Sequence, residues 1–331
     1  MTGSRERGAG PWAGGAEGPP GGLLVYHRGG LGDFVLSVPA ILRLALWVGG
    51  PLAYWGPSDR LALLPGFGPA PGELLRRGHE LFGEGPSEPV RAALGRFGRV
   101  AGFGGREPPR WLRHAGPGGL GVASFPPPGG PWVPRFQTLQ LDRAGVPRPP
   151  GPVLPAWRRT VLPAREPRWI AVHAGSGDPK KNFPTAFWAE ACGALGRRLG
   201  LPVRVVLGPA EAERGAPGWD ALGGAVACET VGDLLGVLAG AALYLGNDAG
   251  PTHLAAALGV PTVAAFGPTD PGLWRPLGPR VRVVRTAASC APCTAGGPIG
   301  CPDPRCLGEL DPGLVVQAGL ALASGGSTTP M

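Results

Sequence analysis

The run Gly246-Asn247-Asp248-Ala249-Gly250-Pro251-Thr252-His253-Leu254-Ala255-Ala256-Ala257-Leu258-Gly259 combines residue types suited to holding an anion. Strand-like apolar stretches flank it, Ala241–Leu245 before and Val260–Phe266 after, and the spacing places a helix between them. Gly250 permits a tight turn. Pro251 suits the first helical position, where its missing N–H would be unpaired anyway. The N–H groups of the first turn then point outward from a helix N-terminus, where the dipole amounts to about half a positive charge. A phosphate or diphosphate is the expected guest. Read more plainly, Asp248 holds the turn through local N–H groups and His253 caps or packs.

Two further loops follow strand-like stretches. Arg28-Gly29-Gly30-Leu31-Gly32-Asp33 offers glycines that let a substrate approach the backbone, and a carboxylate at a helix start. Asp33 would serve there either as a chemical group or as a plain helix cap. The spacing is not Gly-x-Gly-x-x-Gly, which disfavours a nicotinamide-dependent dehydrogenase. His173-Ala174-Gly175-Ser176-Gly177-Asp178-Pro179-Lys180-Lys181-Asn182-Phe183-Pro184 has small residues, a hydroxyl and two cations, the composition of a loop that wraps phosphate oxygens. Lys180 and Lys181 are the only lysines in a chain that otherwise uses arginine.

The elements that must position these loops alternate in βαβ rhythm, which implies parallel sheets. The 331 residues allow two domains. Expected strands in the first half are Leu23–Arg28, Leu52–Trp55, Arg99–Phe103 and Gly121–Phe125. Helices are expected over Asp33–Val48, kinked at Pro39, near Glu88–Leu94 and near Phe136–Ala144. The second half repeats the rhythm: strands Trp169–His173, Val203–Leu207, Ala225–Cys228 and Val281–Val284, helices Pro184–Leu199, Ala210–Arg214 and Val231–Ala239, and a last helix over Asp311–Ala323. The division reads as a disordered tail at 1–20, a Rossmann-like domain at 21–150, a Pro-rich linker at 151–167 and a second Rossmann-like domain at 168–331.

The bulk numbers narrow the classes. A net charge of +8 suits acidic partners, whereas the absence of a dense basic run with interleaved aromatics argues against nucleic acid. Gly 60 and Pro 43 fit compositional bias alongside regular elements. No apolar secretory core is evident near the start, and Pro39, Arg43 and Gly49 to Pro51 interrupt the stretch nearest to a membrane span. The expected location is cytoplasmic, peripheral on the inner membrane face.

Taken together, Gly-Gly-Leu-Gly-Asp (29–33), His-Ala-Gly-Ser-Gly (173–177) with Lys-Lys-Asn-Phe-Pro (180–184), Asn-Asp-Ala-Gly-Pro-Thr-His (247–253) and Phe-Gly-Pro-Thr-Asp-Pro (266–271) resemble glycosyltransferase family 9, the ADP-heptose:lipopolysaccharide heptosyltransferase family. The resemblance covers roughly Leu23 to Val316. It implies an α/β GT-B fold: two Rossmann-like domains with parallel sheets facing a cleft, the last helix packing back on the N-terminal domain. It implies an inverting glycosyltransferase that moves a heptose-like sugar from a nucleotide-diphospho-sugar, ADP-heptose, to a hydroxyl of a lipopolysaccharide core or other surface glycan. By resemblance, Asp33 is the general base, and Arg28, Gly29, Gly30 and Gly32 form the acceptor-side loop. Lys181 meets the diphosphate, ahead of Lys180. Ser176, Ala249, Gly250, Pro251, Thr252 and His253 hold the donor, Asp248 stands near the sugar, and Glu213 binds the ribose, with Glu211 as the other register.

The chain has no Asp-x-Asp pair, so the transfer is expected to be metal-independent. Cys290, Cys293, Cys301 and Cys306 cluster with spacings open to a structural zinc, disulfides or reduced thiols. Rival readings are a nucleotide-sugar epimerase of the same fold and a non-catalytic sugar-nucleotide-binding protein.

Overall fold

The computed structural model describes residues 21–83, 85–215, 218–293 and 299–325. The tail expected at 1–20 lies outside them. The chain divides into two compact units. The first gathers the described residues up to Gly29, Ser37–Phe125 and Gln137–Pro155. The second gathers Gly30–Leu36, Pro126–Phe136 and the described residues from Ala156 onward.

The first unit holds five parallel strands: β1 (Leu23–His27), β2 (Leu52–Trp55), β3 (Phe67–Pro69), β4 (Arg99–Gly104) and β5 (Gly119–Ala123), in the order β3-β2-β1-β4-β5. Every residue of β1 is buried, as a central parallel strand covered on both faces requires. At its end, Tyr26, Trp55 and Trp111 form an aromatic cluster with centroids 4.8 to 5.5 Å apart. The helix after β1 runs Leu31–Trp47 as one 17-residue element with Pro39 inside it.

The second unit holds six parallel strands: β6 (Trp169–His173), β7 (Val203–Leu207), β8 (Gly224–Ala227), β9 (Ala241–Asn247), β10 (Thr262–Phe266) and β11 (Val281–Arg285). Their order is β11-β10-β9-β6-β7-β8. The order reverses between β6 and β9, with His173 opposite Gly246. Doubly wound sheets bind ligands at the carboxyl ends of the strands at such a reversal. Both sheets are parallel and interleaved with helices, so the chain comprises two parallel-sheet α/β units.

Two stretches add to the sequence reading. The Pro-rich segment contains the helix Leu154–Val161, anchored by fully buried Trp157. Arg158 on that helix donates to the Ala257 carbonyl. The last helix, Pro312–Ala323, contributes Val315, Val316 and Leu322 to the second unit's core with Trp188, Leu195 and Leu243. Gly319 allows this, because a Cβ there would stand 3.0 Å from Leu195 and 3.1 Å from Leu243.

Candidate functional site

The pairing of β6 with β9 fixes which loops meet. Asn247, fully buried at the end of β9, joins them. Its Nδ2 donates to the Ala174 carbonyl at 2.6 Å, and its Oδ1 accepts from Phe183 N–H at 3.5 Å. Thr252 completes the turn by donating to the Asn247 carbonyl at 2.7 Å. A Cβ at Gly246 would stand 2.5 Å from the Thr252 hydroxyl, so only glycine fits there.

Asp248 follows, 6% exposed and doubly engaged. Its Oδ2 lies 3.3 Å from Lys181 Nζ, and its Oδ1 lies 3.1 Å from His253 Nε2. Burial pushes this carboxyl upward. The His253 hydrogen bond and the Lys181 charge outweigh burial and hold it down at about 2. Asp248 is therefore ionised across the physiological range. His253 Nδ1 is buried without a partner.

The helix Gly250–Ala257 starts directly after this pair. Ala249 is its N-cap and offers no side-chain cap, and Pro251 occupies the first turn. Backbone donors at this end are left for an external acceptor. Gly250 sits where a Cβ would meet Leu31 Cβ at 2.8 Å and Gly32 N at 3.2 Å. A Cβ at Gly32 would in turn meet His253 Cδ2 at 3.1 Å. Two glycines thus bring the segment Gly30–Leu36 against the first turn of this helix.

Asp33 belongs to that segment. Its Oδ2 accepts from the Gly30 N–H at 3.1 Å, bridging back across the first turn of helix Leu31–Trp47. Burial raises its carboxyl above the usual aspartate range. The charges of His253 and Lys181 and the Gly30 N–H pull the other way without cancelling the rise. A carboxylate of raised pKa is a stronger proton acceptor than an ordinary aspartate, which suits it to general-base work.

The other expected residues divide. Lys180 Nζ donates to the Ile299 carbonyl at 2.6 Å and so tethers the loop. Ser176 is buried and directs its hydroxyl to Asn182 Oδ1 at 2.6 Å. On the helix Pro209–Arg214 that follows β7, Glu213 is exposed and Glu211 is buried. Glu211 Oε2 meets His173 Nε2 at 3.2 Å and accepts the Gly208 N–H at 3.1 Å. Burial raises the Glu211 carboxyl, but the His173 hydrogen bond and charge bring it below the usual range. In the first unit, Arg28 is exposed, and Gly29 N–H donates to Nδ1 of buried His27 at 3.2 Å. Arg275 lies with its guanidinium 4.6 Å over the Trp132 ring.

The zinc expectation finds no support. Among the described residues, no group of three or more His, Cys, Asp or Glu is placed to hold a metal. All six cysteines are free. Cys293 Sγ turns to the Pro268 carbonyl at 3.8 Å and Cys301 Sγ to the Asp303 carbonyl at 3.0 Å. Cys306 is buried, and burial with the neighbouring thiols raises its pKa.

Asn247, His173 paired with Glu211, and His27 carry structural duties that residue spacing did not assign. Their common signal is a polar residue at the carboxyl end of a buried strand.

Comparison with known proteins addresses the same segment. Residues 153–298 match the model of glycosyltransferase family 9 (heptosyltransferase). Lipopolysaccharide heptosyltransferase 1 of Salmonella typhimurium is 36% identical over 111 residues, 33% of this chain and 34% of that protein. The chain thus matches about a third of the length of that curated relative. The structure of E. coli ADP-heptose lps heptosyltransferase II superposes with TM-score 0.61 at 20% identity, covering 92% of this chain and 99% of that one. E. coli heptosyltransferase WaaC, solved with ADP, gives TM-score 0.59 at 19% identity over 89% and 98% of the two chains. At these identities the two structures establish the fold.

Proposed function

We propose, on the premise that residues 153–298 form a glycosyltransferase family 9 (heptosyltransferase) domain, that this protein transfers a heptose-like sugar from a nucleotide-diphospho-sugar to a glycan hydroxyl. The observation that carries the reading is the gathering of Asp33, Lys181 and the Asp248–His253 pair around the uncapped start of helix Gly250–Ala257.

The roles follow from the chemistry. Asp33 accepts the proton of the acceptor hydroxyl as its oxygen bonds to the anomeric carbon. The bond from that carbon to the phosphate oxygen breaks, and the nucleoside diphosphate leaves with the electron pair. Direct attack on the face opposite the leaving group inverts the anomeric centre. Lys181 and the N–H groups of the first turn stabilise the charge that builds on the diphosphate. With these donors, and with no Asp-x-Asp pair in the sequence, the reaction needs no metal. Glu211, on the helix that follows β7 and held by His173, hydrogen-bonds the nucleotide ribose. The donor is ADP-heptose, the sugar nucleotide of E. coli ADP-heptose lps heptosyltransferase II, and E. coli WaaC, of similar fold, was solved with ADP. The acceptor is a lipopolysaccharide core or similar surface glycan, met at an anionic membrane.

The test is turnover of ADP-heptose with a core-oligosaccharide acceptor in the presence of a chelator, with the product's anomeric configuration read by NMR. Acceptor-dependent release of ADP and an inverted linkage are expected. Isomerisation of the donor without acceptor would overturn the reading.

A further inference from the structure

Three large apolar side chains are exposed among the described residues, and two of them, Leu75 (55%) and Phe82 (59%), fall within eight residues of each other in the first unit. They lie on the helix Gly72–Arg77 and the turn Gly78–Phe82 that continues it. Phe82 is not a loose tip. Its ring centroid stands 6.3 Å from Tyr26 and 6.5 Å from Trp111, so one face rests on the buried aromatic cluster while much of the ring meets water. Leu75 projects outward beside buried Leu74.

Single exposed apolar residues are ordinary on protein surfaces. The cations around these two are less so. Arg76 and Arg77 lie between them in sequence, and Arg110 and Arg113 flank Trp111. Residues 72–114 contain eight arginines, five glutamates and no aspartate or lysine. Glu73, Glu80, Glu88 and Glu107 each sit against an arginine, at 3.6, 2.6, 3.5 and 3.9 Å. Among the described residues Arg76 acts on Glu73 through its charge without forming an ion pair within 4.0 Å, and Arg28 stands exposed close enough to act on the Tyr26 hydroxyl. The described residues of the first unit carry thirteen arginines against six acidic residues, a net charge of +7.

We propose that Leu75, Phe82 and the surrounding arginines form a docking face for an anionic lipid bilayer. Apolar tips that enter the headgroup region and arginines that meet lipid phosphates are the two halves of interfacial binding. No helix among the described residues is long and apolar enough to cross a membrane, so attachment through these residues would be peripheral. The inference deepens the reading of a membrane-borne acceptor. Its test uses neither donor nor acceptor, so the two fail separately.

The experiment is flotation of the full chain with vesicles of phosphatidylethanolamine and phosphatidylglycerol, set against vesicles of phosphatidylcholine alone. The wild-type protein floats with the anionic vesicles, and added salt weakens the association. Leu75→Ser with Phe82→Ser weakens it by about tenfold or more, from lost apolar burial. Arg76→Glu with Arg113→Glu weakens it independently, which guards against misfolding of the first pair. Melting temperature and turnover of a water-soluble acceptor stay unchanged in both. Failure of the wild type to float with anionic vesicles, equal flotation with phosphatidylcholine, or equal flotation of both double variants overturns the proposal. A face that instead binds an acidic protein gives the first of these results.

Discussion

Replacing Asp248 with Asn tests the centre of the site. The carboxylate holds Lys181 at 3.3 Å and His253 at 3.1 Å, with its pKa at about 2 against an ordinary aspartate value of 3.8. A depressed carboxylate pKa contributes stability that is fully present above the unfolded value and lost as pH falls through the folded one. The shift corresponds to about 2 kcal/mol at neutral pH and about 1 kcal/mol at pH 3. The amide cannot satisfy both neighbours as a charge. Its oxygen serves Lys181, and its NH2 then faces His253 Nε2, which must give up its proton to Nδ1, an atom buried without a partner. Asp248→Asn should therefore lose about 2 kcal/mol or more at neutral pH, and the gap from wild type should narrow by about 1 kcal/mol toward pH 3. Urea denaturation at a series of pH values measures this, with Lys181→Met and the double variant closing a cycle. A variant within about 0.5 kcal/mol of wild type at neutral pH refutes the hub. So does a deficit that does not change with pH.

Asp33→Asn should lower turnover by about 10²–10⁴-fold with donor affinity retained, read by steady-state kinetics and calorimetry. In the wild type, activity should fall with acid through a pKa above the ordinary aspartate range, because burial raises that group. A raised carboxylate pKa makes the ionised form a cost to the fold above that value, so the melting temperature of Asp33→Asn should not drop at neutral pH. Glu211→Gln should weaken the His173 contact and cost about 1–3 kcal/mol in stability or in donor binding, whereas Glu213→Gln, on an exposed position, should leave both unchanged. Gly32→Ala sets a methyl 3.1 Å from His253 Cδ2 and should reduce turnover about tenfold or more while the chain stays folded, as circular dichroism would report.

Much of this was legible in the sequence because parallel strands announce themselves. β1, β6 and β10 are short apolar runs closed by Gly-rich turns, and each lies within a residue or two of its expected place. The start of helix Gly250–Ala257 was legible too, because Gly250 and Pro251 constrain a backbone whatever surrounds it. β3 was not foreseen, because Phe-Gly-Pro has neither length nor alternation and pairs only through its neighbour β2. The helix Leu154–Val161 hid among prolines and became stable by burying Trp157, a tertiary effect that local propensity does not record. Glu213 and Glu211 differ by two residues of register along a helix, and spacing does not record that one is exposed and the other buried beside His173.

The adjacent lysines show how neighbouring residues of one type take different work. Pro179–Lys181 is a single tight turn, in which successive side chains leave the backbone about 120° apart. Lys180 is therefore carried toward the Ile299 carbonyl and serves as a tether, while Lys181 is carried toward Asp248. Asp248 balances the Lys181 charge before any ligand arrives, so the cation is held in one place without being left unpaired. A diphosphate brings more negative charge than a carboxylate and would compete for the same ammonium. His253 would then keep Asp248 partly compensated as the lysine shifts its attention. The strength of donor binding is thus set by a difference between two ion pairs, and removing Asp248 should alter both the resting position of Lys181 and the energy released when phosphate replaces it.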